Sequence, residues 1–221
     1  MLSCLKHHRF ATQTLALLML ALSALMNGSS AEPGAPTQSA RGAGSQGKEG
    51  SNQQDELATQ CANKLDYLLK NGKAAHPDPK PTVMSEAEIN AYLRSSHVVL
   101  PKGVSGLQFQ GEPGVVTSDL KVDFDKLAST RGSSNLLLTL FAGTHSVQVI
   151  SHAHATAGVV HAHVDSVSMD GMTVPRFLLS LYVEEFLKPK YPEASLDPTF
   201  KLPSRIQSAT VGAHELTLVQ R

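Results

Sequence analysis

Thr144-His145-Ser146-Val147-Gln148-Val149-Ile150-Ser151-His152-Ala153-His154-Ala155-Thr156, then Ala157-Gly158, then Val159-Val160-His161-Ala162-His163-Val164-Asp165-Ser166-Val167-Ser168-Met169 is the stretch that decides the fold. Polar and apolar residues alternate along both arms, and in a strand residues two apart share a face. The two arms therefore read as a long hairpin about Ala157-Gly158. Loop length sets which faces coincide. An even loop, of two or four residues, gathers Val147, Val149, Ala153, Ala155, Val160, Ala162 and Val164 on one face. The other face then carries Gln148, Ile150, His152, His154, His161, His163 and Asp165. A three-residue loop ending at Gly158 would set the two histidine pairs on opposite faces. Turn chemistry leans that way, because alanine is poor at a positive-φ position, but the hydrophobic pattern favours the even loop.

In that register His154 faces His161 and His152 faces His163, with Cβ atoms about 4.5–5.5 Å apart. Two such imidazoles are able to chelate Zn²⁺ or Cu²⁺, so His152, His154, His161 and His163 are the candidate metal ligands. Four of them on a flat ladder do not converge on one ion, and the plainer reading is the hydrated face of an amphipathic hairpin. Protonation below about pH 6.5 would make the four repel one another. Nearby motifs argue against catalysis. The H-x-H-x-D-H pattern of metallo-hydrolases would need Asp and His where Thr156 and Ala157 stand, and no G-x-S-x-G, H-E-x-x-H or glycine-rich phosphate loop occurs. No catalytic residue and no cofactor is assigned.

Working outward, Val104, Leu107 and Phe109 fit a strand, Glu112-Pro113-Gly114 a turn, and Val115 to Phe124 a return strand with Leu120, Val122 and Phe124 on one face. Upstream, Leu57, Cys61, Leu65, Leu68 and Leu69 recur at helical spacing between a cap at Asp55 and a stop near Gly72. His76-Pro77-Asp78-Pro79-Lys80-Pro81 is a stiff connector. Ser85 and Glu88 form a capping box that opens a second helix burying Ile89, Tyr92 and Leu93. Asn135 to Phe141 is an apolar run read as a short helix. Downstream, Gly171 turns the chain, and Pro175 opens a third helix carrying Phe177, Leu178, Leu181, Tyr182, Phe186 and Leu187, which ends before Pro189. Ile206 to Val219 supplies one or two last strands around Gly212. Hairpin-length links between strands predict an α+β fold: a curved antiparallel sheet of hairpins packed against helices, clasping the third helix as its apolar rod.

The ends bound the function class. Residues 1–31 read as a signal peptide: a positive start at Lys6 to Arg9, an apolar run from Thr14 to Leu25, and small residues Ser29-Ser30-Ala31 before Glu32. The run is about 12 residues, short of the roughly 18 that span a bilayer. Residues 32–54, rich in Gly, Ser, Pro and Gln, read as a disordered linker, and residues 55–221 as a single domain. Of the 19 basic residues Lys6 and Arg9 leave with the signal, so 17 face 19 acidic ones, a balance of −2 that gives no grip on a phosphate backbone. Nucleic acid is excluded as a partner. Cys4 also leaves, so the mature chain retains Cys61 alone and forms no internal disulfide. These readings place the protein outside the cytoplasm, periplasmic or extracellular, or anchored where the signal stays uncleaved.

The run Ser85-Glu86-Ala87-Glu88-Ile89-Asn90-Ala91-Tyr92-Leu93, then Leu100-Pro101-Lys102-Gly103-Val104, the paired strands, and Met169-Asp170-Gly171-Met172-Thr173-Val174-Pro175-Arg176-Phe177-Leu178-Leu179 resembles secreted LmeA-like phospholipid-binding proteins of the tubular lipid-binding class. It is also similar to exported bacterial proteins of no assigned role. The resemblance covers roughly residues 83–221 and implies a curved sheet around a helix, enclosing an apolar groove for acyl chains. The candidate lining is Phe109, Phe124, Leu178, Leu181, Tyr182 and Phe186, and the implied partner is lipid or a membrane surface. A non-enzymatic lipid binder is therefore expected. A periplasmic scaffold and a metal-binding module on the histidine hairpin are the alternatives.

Overall fold

A computed structural model describes residues 45–100, 102–128, 142–188, 192 and 194–221, without the side chains of 45–49, 127–128 and 186–187. The expected signal, the first part of the linker, the helix at 135–141 and the stop at Pro189 lie outside the described residues. In chain order the elements are α1 (Ser45–Asn71), β1 (Thr82–Ser85), α2 (Glu86–Arg94), β2 (Val104–Glu112), β3 (Val115–Asp123), α3 (Phe124–Ala128), β4 (Thr144–Thr156), β5 (Val159–Met169), β6 (Met172–Thr173), α4 (Arg176–Tyr182) running into a π-helical turn (Val183–Leu187), β7 (Thr199–Lys201), β8 (Ile206–Gly212) and β9 (Glu215–Gln220).

The nine strands form one sheet in which every described pairing is antiparallel, as the hairpin pattern predicts. β4 is its spine. One edge of β4 pairs with β3 over Thr144–His152 and meets β8 at Ala155, while the other edge pairs with β5 along most of its length. Gly114 joins the two halves of the first edge: its N–H donates to Val211 O at 3.0 Å and its carbonyl accepts from Ala153 N at 3.1 Å. The order continues outward as β8, β9, β1 on one side and β3, β2 on the other.

Alternation decides what this sheet buries. Leu107, Phe109, Val116, Leu120, Val122, Val147, Val149, Ala155, Val160, Ala162, Val164, Ile206, Val211, Leu216 and Leu218 point to one buried cluster. α1 closes that cluster with Ala58, Cys61, Leu65 and Leu68, spaced three and four apart on one stripe. Small residues at two of these positions let the helix approach closely. Burial of such side chains, at about 1.5–3 kcal/mol each for the larger ones, is the main force holding α1 in place. Its end is tied to the last strand: Gln220 donates to Leu68 O at 2.7 Å and to Ser204 O at 2.6 Å, and accepts from Asn71 Nδ2 at 2.8 Å. A Cβ on Gly72 would stand 2.4 Å from the Ser204 carbonyl oxygen, so glycine is required there.

α2 starts at the expected capping box, in which Glu88 N donates to Ser85 Oγ at 3.2 Å and Ser85 N to Glu88 Oε2 at 2.7 Å. Ile89, Tyr92 and Leu93 are buried as its spacing predicts. The same helix covers the free edge of β2. Asn90 acts there as a one-residue strand, accepting from Phe109 N and donating to Phe109 O, both at 2.7 Å.

Three expectations are corrected. The first helix begins at Ser45, so residues 45–54, expected in the disordered linker, are helical; residues 50–56 are exposed, and apolar spacing carries no signal for such a stretch. The amide of Gln54, turned with its oxygen toward α2, accepts from Arg94 Nη2 at 3.1 Å and Nε at 3.2 Å, which gives the extension a tertiary contact. Pro175 caps α4 rather than opening it, because its ψ of 137° is extended. α4 is not the enclosed rod either. None of its residues is buried, and α1 closes the core in its place. Its apolar residues surround the helix instead of forming one stripe, so sequence alone supplied no direction for burial.

Candidate functional site

Ala157 at φ 52° and Gly158 at φ 76° close β4 and β5 with a two-residue loop, the conformation of a right-twisting hairpin turn. The register is the even one: His154 opposes His161, and His152 opposes His163. Ala153 N donates away from β5 to Gly114 O, and Ala162 N away from β4 to Pro198 O at 3.0 Å. The histidines therefore occupy the mutually bonded positions of the ladder, where Cα atoms lie about 5.5 Å apart. Their rings follow: His154 and His161 stack with centroids 5.4 Å apart and planes inclined by 24°.

A register shift between Ile150 and Ser151 leaves Asp165 without a cross-strand partner and re-aims it. Its Oδ2 lies 2.6 Å from His152 Nδ1, and its Oδ1 lies 3.9 Å from His163 Nε2. His163 Nδ1 in turn contacts Asp197 Oδ1. Asp197 also accepts from Arg176 Nη2, at 3.2 Å to Oδ2, while Arg176 Nη1 donates to Val164 O at 2.8 Å. Thr199 Oγ1 sits 3.3 Å from His161 Nδ1. The exposed face is thus a continuous polar chain, His152–Asp165–His163–Asp197–Arg176, that ends on the first residue of α4. Among the described residues no three His, Cys, Asp or Glu side chains gather in a way that could hold a metal ion. The stacked pair explains part of this, because lone pairs lie in the ring planes and near-parallel rings do not aim at one point.

A fifth histidine belongs elsewhere. His145 Nδ1 is 2.6 Å from Asp170 Oδ2 and its Nε2 is 2.9 Å from Ala142 O. The Asp170 carboxylate, helped by that carbonyl, pushes the imidazole above its usual pKa against a desolvation cost. Asp170 is held below the carboxylate range by His145 and by Ser146 N, which donates to it at 2.9 Å.

The expected groove residues are divided by the structure. Phe109 and Phe124 both belong to the one core cluster, Phe109 on the half of β2 nearer the Glu112 turn and Phe124 at the opposite, open end of that hairpin. Phe124 meets Tyr182 edge-to-face with centroids 6.3 Å apart. Leu178 is half-buried, and Tyr182, also half-buried, packs beside Val183 with Ala194 and Leu196. The Phe186 side chain is outside the described residues. Leu181 is 44% exposed. Two further side chains that the groove reading omitted are exposed as well: Phe177 is 65% and Met172 73% exposed. Their signal was present as apolar residues around an Asp-Gly turn and a proline cap, but exposure is a tertiary property.

Cys61, by contrast, is structural. Burial pushes its thiol up to about 12, with the Glu88 charge adding and Lys64 opposing. Its Sγ rests 3.9 Å from Met84 Sδ. No helix among the described residues is long and apolar enough to cross a membrane. Comparisons with protein-family models, curated proteins and solved structures give no match.

Proposed function

We propose that the protein is an exported, non-enzymatic lipid-binding protein whose contact with lipid is the outward apolar side of α4 and the turn before it. One observation carries the reading. Met172, Phe177 and Leu181 are three of the six large apolar side chains exposed among the described residues, and they fall within ten positions of one another. Concentrated exposure of this kind marks an interaction surface, whereas scattered exposed residues need no explanation. Full burial of a Phe, Leu or Met side chain is worth about 1.5–3 kcal/mol, so three of them shallowly inserted suit reversible attachment to a bilayer. Phe124 supports α4 from below through its contact with Tyr182, and Arg176 fixes the start of the helix to β5. The set is a surface wedge, in place of an enclosed groove that would include Phe109.

Phe177→Asp with Leu181→Asp tests this directly. Both side chains are exposed, so the double variant should keep its circular dichroism and melting temperature while losing co-flotation with phosphatidylcholine vesicles. Flotation equal to that of the parent would refute the reading. A parent that ignores vesicles but self-associates through α4 would favour the scaffold alternative.

A further inference from the structure

We propose that the outer face of β4 and β5 is a proton-operated contact for an anionic lipid surface, acting beside the α4 wedge; this rests on the lipid reading above. The face carries His152, His154, His161, His163 and Asp165 in the register described. The elements packed against it contribute few other charges. β3 brings Asp119, bonded to Gln148 Nε2 at 2.9 Å, and Lys121. β7 brings Lys201, the segment before it Asp197, and α4 Arg176. β8 meets β4 at Ala155 and Ala209 and adds no charged side chain along Ile206–Gly212. Beyond β3, β2 adds Glu112.

At neutral pH the cations Lys121, Lys201 and Arg176 are outnumbered by Asp119, Asp165, Asp197 and Glu112, so the face has no attraction for anions. Histidine is the side chain whose charge changes most readily in mild acid. Four protons would turn three cations against four anions into seven against four. The stacked His154 and His161, 5.4 Å apart, then repel each other, and an approaching layer of lipid phosphates relieves that repulsion. The chain His163–Asp197–Arg176 links the first residue of α4 to the border of this face, so the two proposed contacts adjoin there. Each supplies what the other lacks: insertion depth from Phe177 and Leu181, acid-dependent attraction from the histidines.

Full-length mature protein is titrated with vesicles of phosphatidylcholine alone and with added phosphatidylglycerol, at about pH 5.5 and about pH 7.5. Acid should tighten binding to the anionic vesicles by on the order of ten- to a hundredfold, with little change for the neutral ones, and the gain should shrink as salt rises. Replacing His152, His154, His161 and His163 with Gln should abolish the acid gain while leaving neutral-pH binding to phosphatidylcholine intact. His154→Gln with His161→Gln, which keeps both aspartate-paired histidines, should remove part of the gain and guards against misfolding of the fourfold variant. Binding that is equal at both pH values, or an acid gain that survives the substitutions, overturns the inference and leaves the wedge standing. Absence of binding to any vesicle at either pH refutes both.

Discussion

Ala157 shows how a single residue records the balance between turn chemistry and burial. It holds φ 52°, a left-handed conformation that costs an L-residue about 1–2 kcal/mol and glycine almost nothing. The cost is accepted because a one-residue change of loop would set the two histidine pairs on opposite faces and mix histidines with valines on both. Ala157→Gly should therefore stabilise the protein by roughly 0.5–1 kcal/mol after the glycine's greater unfolded-state entropy is deducted, read as a higher urea midpoint at unchanged m-value. A lower midpoint would mean that the turn is not the one described. The histidine pairing was legible from alternation alone, because pattern and register are the same information in a two-residue hairpin. Asp197 and Arg176 were not legible: each reaches the histidine face from a distant segment, and nothing in its local sequence announces the contact.

At the scale of elements, the junction of α1 with α2 gives the clearest pH dependence. Burial alone would push the Glu88 carboxyl up, but Lys64 Nζ at 2.6 Å and the Ser85 N–H and hydroxyl outweigh it and hold the carboxyl below its usual range. A depressed carboxylate stabilises the fold above the ordinary value near pH 4.3, and that contribution is lost as pH falls through the folded-state value. Lys64→Met removes the ammonium, so acid unfolding followed by circular dichroism should begin at higher pH than in the parent. An unchanged acid limb would show that the pair contributes nothing. The capping box within this junction was readable, since Ser85 and Glu88 stand at the spacing that satisfies two helix-end donors. β1, β6 and β7 were not, at two to four residues each. A period needs more positions than that to show itself, and these strands exist because a longer partner offers them a ladder.

For the whole molecule, the antiparallel α+β architecture followed from hairpin-length links, whereas the choice of which helix closes the core did not. Hydrophobic content pointed to the helix after Pro175, but a core helix needs one apolar stripe, and α1 has it in Ala58, Cys61, Leu65 and Leu68. Apolar residues on several sides of α4 leave part of them outside whatever it packs against. That surplus is the physical basis of the proposed lipid contact, and the absence of tryptophan from the sequence makes it directly measurable. Phe177→Trp places the sole indole of the protein on the exposed side of α4. If α4 enters lipid, its emission should be that of a hydrated indole in buffer and should shift to the blue, with loss of quenching by aqueous iodide, when phosphatidylcholine vesicles are added. An emission maximum and iodide quenching that stay unchanged at saturating vesicle concentration would contradict the account.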